Sequence, residues 1–221
     1  VEMRLHPCVE VVSGAAAIAL LMTLSGQAQE PAGISSGAAS PPPKVIVAGE
    51  NPAITLLDKE GGEAVTSINF WRVHWSPVGA GAVCYVTVTG QRAGNLGVAV
   101  HDNPKVLDYV TKELMSSLSA GFNTPPFVPL RGTIAQSGDG VSERRETCRS
   151  ETHTIELTWS GLGEANWVDI RPGANTLMTF AMVRARGAEV VINGKKAPGT
   201  LFAQAGRIPG SFLALNETWR R

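Results

Sequence analysis

One stretch of the sequence, Glu143 to Trp159, combines apolar residues with side chains that often do chemistry in proteins. In one continuous β-strand, side chains alternate between two faces, so every second residue shares the face of Trp159. That face carries Arg149, Glu151 and His153. An arginine can hold a carboxylate or phosphate through two hydrogen bonds, and a histidine can carry a proton near neutral pH. The pattern predicts the wall of a ligand-binding cavity with a polar end, lined by Arg149, His153 and Trp159.

Two other interpretations of this stretch stay open. If the strand leaves the folded core near residue 150, its charged residues simply meet water, as most runs of mixed charge do. Alternatively, the chain is an enzyme, a hydrolase or an isomerase, in which Glu151 and His153 exchange protons beside Arg149. That hypothesis requires the three side chains to converge within hydrogen-bond reach in a cleft.

The two cysteines that follow residue 28 are Cys84 and Cys148. A disulfide between them closes a loop of about 65 residues and stabilises the fold by roughly 4 kcal/mol in the chain-entropy model. We predict this bridge, and two buried free thiols are the alternative. In an unbroken strand Cys148 shares no face with Arg149 or Trp159, so a core bridge requires a reversal of faces, such as a bulge near residues 148 to 152.

The sequence predicts neither a metal site nor a cofactor. Three histidines, His74, His101 and His153, follow residue 28, but no H-x-H or H-E-x-x-H spacing joins them. No glycine-rich nucleotide fingerprint stands between a strand and a helix.

The balance of positive and negative charges limits the classes of partner that the chain is expected to bind. The 221 residues include 19 Lys and Arg and 19 Asp and Glu, so no net field draws the chain to nucleic acid or to an anionic membrane. We therefore expect no nucleic-acid partner and a small-molecule ligand instead.

The first residues have the pattern of a secretory signal peptide. Met3-Arg4 is a short basic start, Val11 to Leu24 is apolar, and Gly26-Gln27-Ala28 offers small residues for cleavage. We predict a signal peptide over residues 1–28 cleaved near Ala28, a flexible Pro/Gly/Ser/Ala linker over 29–43, and one β-rich domain over 44–221. The expected location is the periplasm or the medium, with no membrane attachment after cleavage.

Strand-like segments dominate the remaining chain. Runs such as Val65–Trp75, Ala82–Thr89 and Leu96–His101 are rich in β-branched and aromatic residues, and Asn193-Gly194 is typical of a tight hairpin turn. One amphipathic helix is predicted after Asn103, which can cap a helix that begins at Pro104. These elements predict a mainly β fold: a single antiparallel barrel-like or sandwich domain with one amphipathic helix.

These patterns favour an exported β-rich domain that binds a small molecule or serves as an accessory binding module of the cell envelope. The alternatives are a secreted hydrolase or isomerase that uses the His/Glu/Arg cluster, and a structural or protein-interaction module.

Overall fold

The computed structural model describes residues 44–90, 95–115, 127–173, 175–205 and 208–220. The predicted signal peptide and linker lie outside these residues. The described chain is mainly β with a single helical segment, which confirms the predicted fold class. Its strands are β1 (Lys44–Glu50), β2 (Ala53–Leu57), β3 (Ala64–Trp75), β4 (Gly81–Val88), β5 (Leu96–His101), β6 (Val128–Ser137), β7 (Glu143–Ser150), β8 (Thr154–Gly173), β9 (Thr176–Ile192), β10 (Lys195–Lys196), β11 (Gln204–Ala205), β12 (Ile208–Pro209) and β13 (Ser211–Arg220).

Eleven of these strands form one sheet that curls into a barrel-like ring. From β3 to β9, each strand pairs with the next along the chain; β9 then pairs with β13, β13 with β1, and β1 with β3. The circuit returns to its starting strand, although β2 and the two-residue β10 make the closure uneven. Ring closure leaves fewer sheet edges open to pairing with other chains.

The helix forms the crossover between two neighbouring strands. Helix α1 (Pro104–Val110) continues as a π-helical turn over Thr111–Met115. The Asn103 side chain accepts a hydrogen bond from the Lys105 backbone N–H at 3.0 Å, so the predicted cap is confirmed. Because the chain crosses over through this segment, β5 and β6 are parallel, while the other pairs of the sheet are antiparallel.

The stretch Glu143 to Trp159 is not one strand but a hairpin. Strand β7 ends at Ser150, residues 151–153 turn, and β8 begins at Thr154. The Ser150 N–H donates to the His153 carbonyl at 2.8 Å, and the Ser150 hydroxyl accepts from the His153 N–H at 3.0 Å. This turn exchanges the faces, so the prediction that Arg149 shares the inner face of Trp159 is wrong.

Apolar side chains on the two sides of the ring wall build two cores. The inner core collects buried residues from strands β2 to β5 and β7 to β9, with partly buried side chains of β6, and its largest fully buried members are Trp159 and Phe70. The outer core packs the helical segment through Val106, Val110 and Leu114 against the outer faces of β3, β4 and β5 and against parts of β1, β9 and β13. Within the described chain, we find no helix with the length and apolar character needed to cross a membrane.

Candidate functional site

Of the predicted ligand-binding residues Arg149, His153 and Trp159 and the catalytic candidate Glu151, only His153 lines a described cavity. Arg149 is exposed on the outer face of β7, opposite Thr133 and Thr154. Trp159 is fully buried in the inner core, and its indole N–H donates to the Ala53 carbonyl at 3.1 Å. Glu151 is exposed in the turn, where it shares no described hydrogen bond or ion pair with Arg149 or His153. The hairpin therefore puts Arg149 and Trp159 on opposite faces, whereas Glu151 and His153 share the turn without a described contact between them.

The other face of β7 supplies the polar end of the inner core. Arg144, Glu146 and Cys148 point inward and pair across the hairpin with Trp159, Leu157 and Ile155. Glu146 is fully buried, although carboxylates almost never are unless they are paired. An apolar face that becomes charged was predicted for this stretch; the face of Trp159 is apolar as predicted, but the charged residues that continue it are Arg144 and Glu146.

Two arginines neutralise the Glu146 carboxylate. Arg144 donates to Oε1 through Nε at 3.1 Å and Nη2 at 2.6 Å, and Arg72 Nη2 lies 2.5 Å from Oε2. Arg144 also pairs with Glu50, whose Oε1 lies 3.3 Å from Nε2 of His74. Burial raises the pKa of Glu146 above its usual range, against the opposing pull of the two guanidinium groups. Within this network, the two arginines balance the carboxylates of Glu146 and Glu50.

The two cysteines lie in the inner core as free thiols, not at bonding distance. Both are fully buried, and the exchange of faces in the β7–β8 hairpin is what brings Cys148 inside with Cys84. A hydrogen bond with the Cys148 thiol, together with burial, raises the pKa of Cys84 well above its usual range. Cys84 is therefore a protonated, inert thiol at neutral pH, and the predicted disulfide stays a prediction.

The three histidines are dispersed. His74 is exposed beside Glu50, His153 lies at the β7–β8 turn, and His101 is buried where burial lowers its pKa. Among the described residues, no three His, Cys, Asp or Glu side chains are grouped to hold a metal ion.

A concave pocket opens at the end of the barrel where the β7–β8 turn and the β9–β10 hairpin meet. We call it the mouth pocket; its volume is about 440 Å³, within the range typical of small-molecule sites. Its lining residues are Val88, Asn95, Leu96, His153, Ile192, Asn193, Lys195, Lys196, Ala197 and Pro198. His153 is thus the one predicted ligand-binding residue that lines a described cavity.

The apolar wall of the mouth pocket is the upper layer of the inner core. Val88 and Ala197 are buried members of that core, and Leu96 and Ile192 pack against it while staying partly exposed. The rim comes from the predicted Asn193-Gly194 turn, in which both residues have positive φ, 50° and 74°. Asparagine and glycine favour the tight hairpin turns that need this conformation. The turn places Lys195 and Lys196 directly beside the pocket.

A second concavity, of about 640 Å³, lies on the outer face of β7, β8 and β9. Two ion pairs lie within its lining: Arg145 Nε lies 2.7 Å from Glu143 Oε1, and Lys196 Nζ lies 3.3 Å from Glu189 Oε1. Its lining is mostly polar; apart from Gly187, its apolar members are Ala188, Val191 and Leu157, and the Leu157 side chain is buried in the inner core. It lacks a continuous apolar wall, so it offers an amphipathic ligand less than the mouth pocket does.

Comparison of the chain with models of protein families, with curated proteins and with solved structures finds no match.

Proposed function

We propose that this chain is an exported binding protein that takes a small amphipathic molecule into the mouth pocket. One observation carries the proposal: an apolar wall continuous with the inner core faces a rim of amide, imidazole and ammonium groups. Small-molecule sites typically combine a concave apolar lining with a few polar groups that orient the ligand. The signal-like N-terminal sequence supports export, to the periplasm or the medium.

Binding is favoured over catalysis because no described hydrogen bond or ion pair joins the residues proposed for acid–base chemistry. Arg149 is on the outer face and Glu151 is exposed in the turn, so His153 has neither as a described partner; Nδ1 of its ring lies 2.8 Å from the Thr152 hydroxyl instead. Proton transfer requires its groups within hydrogen-bond reach of one another or of a bound substrate.

A protein-interaction module is the second candidate function. Trp167 on β8, Ala181 on β9 and Leu215 on β13 are direct neighbours across three strands. Trp167 is 80% exposed and Leu215 60% exposed, although both lie in regular strands. Exposed aromatic and aliphatic side chains side by side are typical of contact surfaces. The mouth pocket ranks first because it adds a cavity with oriented polar groups.

A variant that fills the mouth pocket tests the proposed binding function. Leu96→Trp extends a half-buried side chain into the cavity, and Leu162→Trp makes the same change at a half-buried leucine that packs on the same core outside the pocket. A ligand present at about 100 times its Kd stabilises the folded state by roughly 2.7 kcal/mol. We therefore expect a thermal-shift screen of small amphiphiles to raise the Tm of the wild type by about 5–10 °C.

The same ligand should raise the Tm of Leu162→Trp but not that of Leu96→Trp. An equal Tm shift in Leu96→Trp would move the binding site away from the mouth pocket. A panel that raises the Tm of neither the wild type nor Leu162→Trp would remove small-molecule binding from consideration.

Export also bears on the cysteine pair. We expect Cys84 and Cys148 to become bridged in an oxidising compartment, where each thiol loses a proton and one electron to a disulfide of an exchange catalyst before the barrel closes. Protein recovered from the periplasm and unfolded without reductant should then leave neither cysteine open to alkylation, as measured by peptide mass spectrometry. Alkylation of both without reductant would establish the two buried thiols as the mature state.

A further inference from the structure

We propose that the ligand of the mouth pocket is an anionic amphiphile, a carboxylate on an aliphatic body. The inference rests on the proposed binding function and adds the chemical class of the ligand. It follows from which hydrogen-bonding groups of the rim are already occupied by the protein and which remain for a ligand.

The rim asparagines have used their acceptor oxygens, and among the described residues their NH₂ groups have only one contact, a long one. Asn193 Oδ1 accepts from the Thr154 backbone N–H at 2.8 Å, and Asn95 Oδ1 accepts from the Gly90 N–H at 3.2 Å. Since a backbone N–H can only donate, these contacts fix each side-chain oxygen in place and leave the amide NH₂ groups. The NH₂ group of Asn193 reaches the Thr152 carbonyl only at 3.5 Å, a contact too long to hold it firmly.

The ionisable groups of the rim also offer hydrogen-bond donors or positive charge. Lys195 has no ion pair among the described residues, whereas Lys196 shares Glu189 at 3.3 Å. His153 uses Nδ1 toward Thr152, which leaves Nε2 for other contacts. None of the described residues that line the pocket is Asp or Glu. The rim therefore presents donors and positive charge to a ligand, with no carboxylate to repel an anion.

The apolar wall determines the rest of the ligand. A simple inorganic anion would leave the wall of Val88, Leu96 and Ile192 in water, so it would gain nothing from apolar burial. A neutral hydrocarbon would cover the wall but displace water from the rim donors without replacing the hydrogen bonds. A carboxylate with an aliphatic body satisfies both parts of the pocket, with charge-assisted hydrogen bonds at the rim.

Three probes of equal chain length test the assignment: sodium decanoate, 1-decanol and decyltrimethylammonium. Their affinities are measured below micelle formation by isothermal titration calorimetry, with the wild type, Lys195→Glu and Lys105→Glu. Lys105 is an exposed lysine on α1 that does not line the pocket, so it matches the charge reversal elsewhere on the surface. We expect decanoate to bind at least tenfold tighter than decanol in the wild type, since charge-assisted hydrogen bonds are the stronger kind.

Charge reversal at Lys195 should weaken decanoate by about tenfold, as expected for a contact partly screened by water. It should leave decanol unchanged, and Lys105→Glu should leave both probes unchanged. Decanol or the ammonium probe binding as tightly as decanoate would overturn the anionic class and leave the binding function in place. Absence of binding by all three probes, together with a negative amphiphile screen, would overturn both.

Discussion

Replacing Glu146 with alanine is expected to lower the free energy of unfolding by about 3–5 kcal/mol. The substitution removes the carboxylate that Arg144 and Arg72 share, and Arg144 is itself nine-tenths buried. Without Glu146, positive charge remains in a low-dielectric interior with no counter-charge except Glu50. Removing one partner of a buried ion pair costs far more than the pair contributes, because the remaining charge has lost its water.

Urea denaturation of Glu146→Ala and Glu143→Ala gives a matched comparison on one strand. Glu143 is on the outer face and pairs with the half-exposed Arg145, so its loss should cost less than about 1 kcal/mol. Glu146→Gln keeps one acceptor oxygen for the arginines and should fall between the two. If Glu146→Ala lowers the free energy of unfolding no more than Glu143→Ala does, the buried ion-pair network does not stabilise the fold.

Trp159→Ala is expected to lower the free energy of unfolding by a similar amount, about 3–5 kcal/mol. The indole is fully buried in the inner core, and its N–H satisfies the Ala53 carbonyl of β2 at 3.1 Å. Alanine at this position leaves a large cavity and an unpaired carbonyl. Trp167→Ala removes the same side chain from an 80% exposed position and should change stability by about 0.5 kcal/mol or less.

The two tryptophan variants also decide the role that the sequence suggested for Trp159. If Trp159 is a core residue, the Trp159→Ala protein should unfold at a lower urea concentration than the wild type. Its folded fraction should still bind a mouth-pocket ligand with nearly unchanged affinity. A stable Trp159→Ala protein that has lost ligand binding would restore Trp159 to a ligand-binding role.

Local patterns in the sequence predicted the parts of the fold that short-range chemistry determines. Asn103 and Pro104 begin the helix because they satisfy its first turn, and Asn193-Gly194 makes the hairpin because both residues tolerate positive φ. The continuous apolar run in β4 follows directly from burial of both faces of that strand. These features depend only on residues close together in the chain.

The sequence suggested a reversal of faces near residues 148 to 152 only as a requirement of the disulfide. The turn between β7 and β8 gives no strong signal of its own because it contains neither glycine nor proline. Ser150 makes the turn instead, since its hydroxyl accepts the His153 N–H and imitates a backbone turn. One such turn moves Arg149 outward and brings Glu146 and Cys148 inward. Serine followed by polar residues was the available signal, but it is far weaker than Asn-Gly.

The mouth pocket could not be predicted from spacing, because distant segments build it. Leu96 is the first residue of β5, His153 is the last residue of the β7–β8 turn, and Lys195 is the first residue of β10. Only the closure of the ring makes these three residues neighbours. Of its polar residues, only His153 was a predicted ligand contact. That Asn95 and Asn193 turn their NH₂ groups to a ligand becomes apparent only when the described partners of their oxygens are known.

The most direct test of the central claim is a titration of the ¹⁵N-labelled protein with sodium decanoate, followed by amide chemical shifts. Binding in the mouth pocket predicts that the largest shifts belong to Val88, Leu96, Asn193 and Lys195, with small changes around Arg149 and at the ion-pair network. Shifts centred on Trp167 and Leu215 would favour the interaction surface, and no saturable shift anywhere would contradict the binding function.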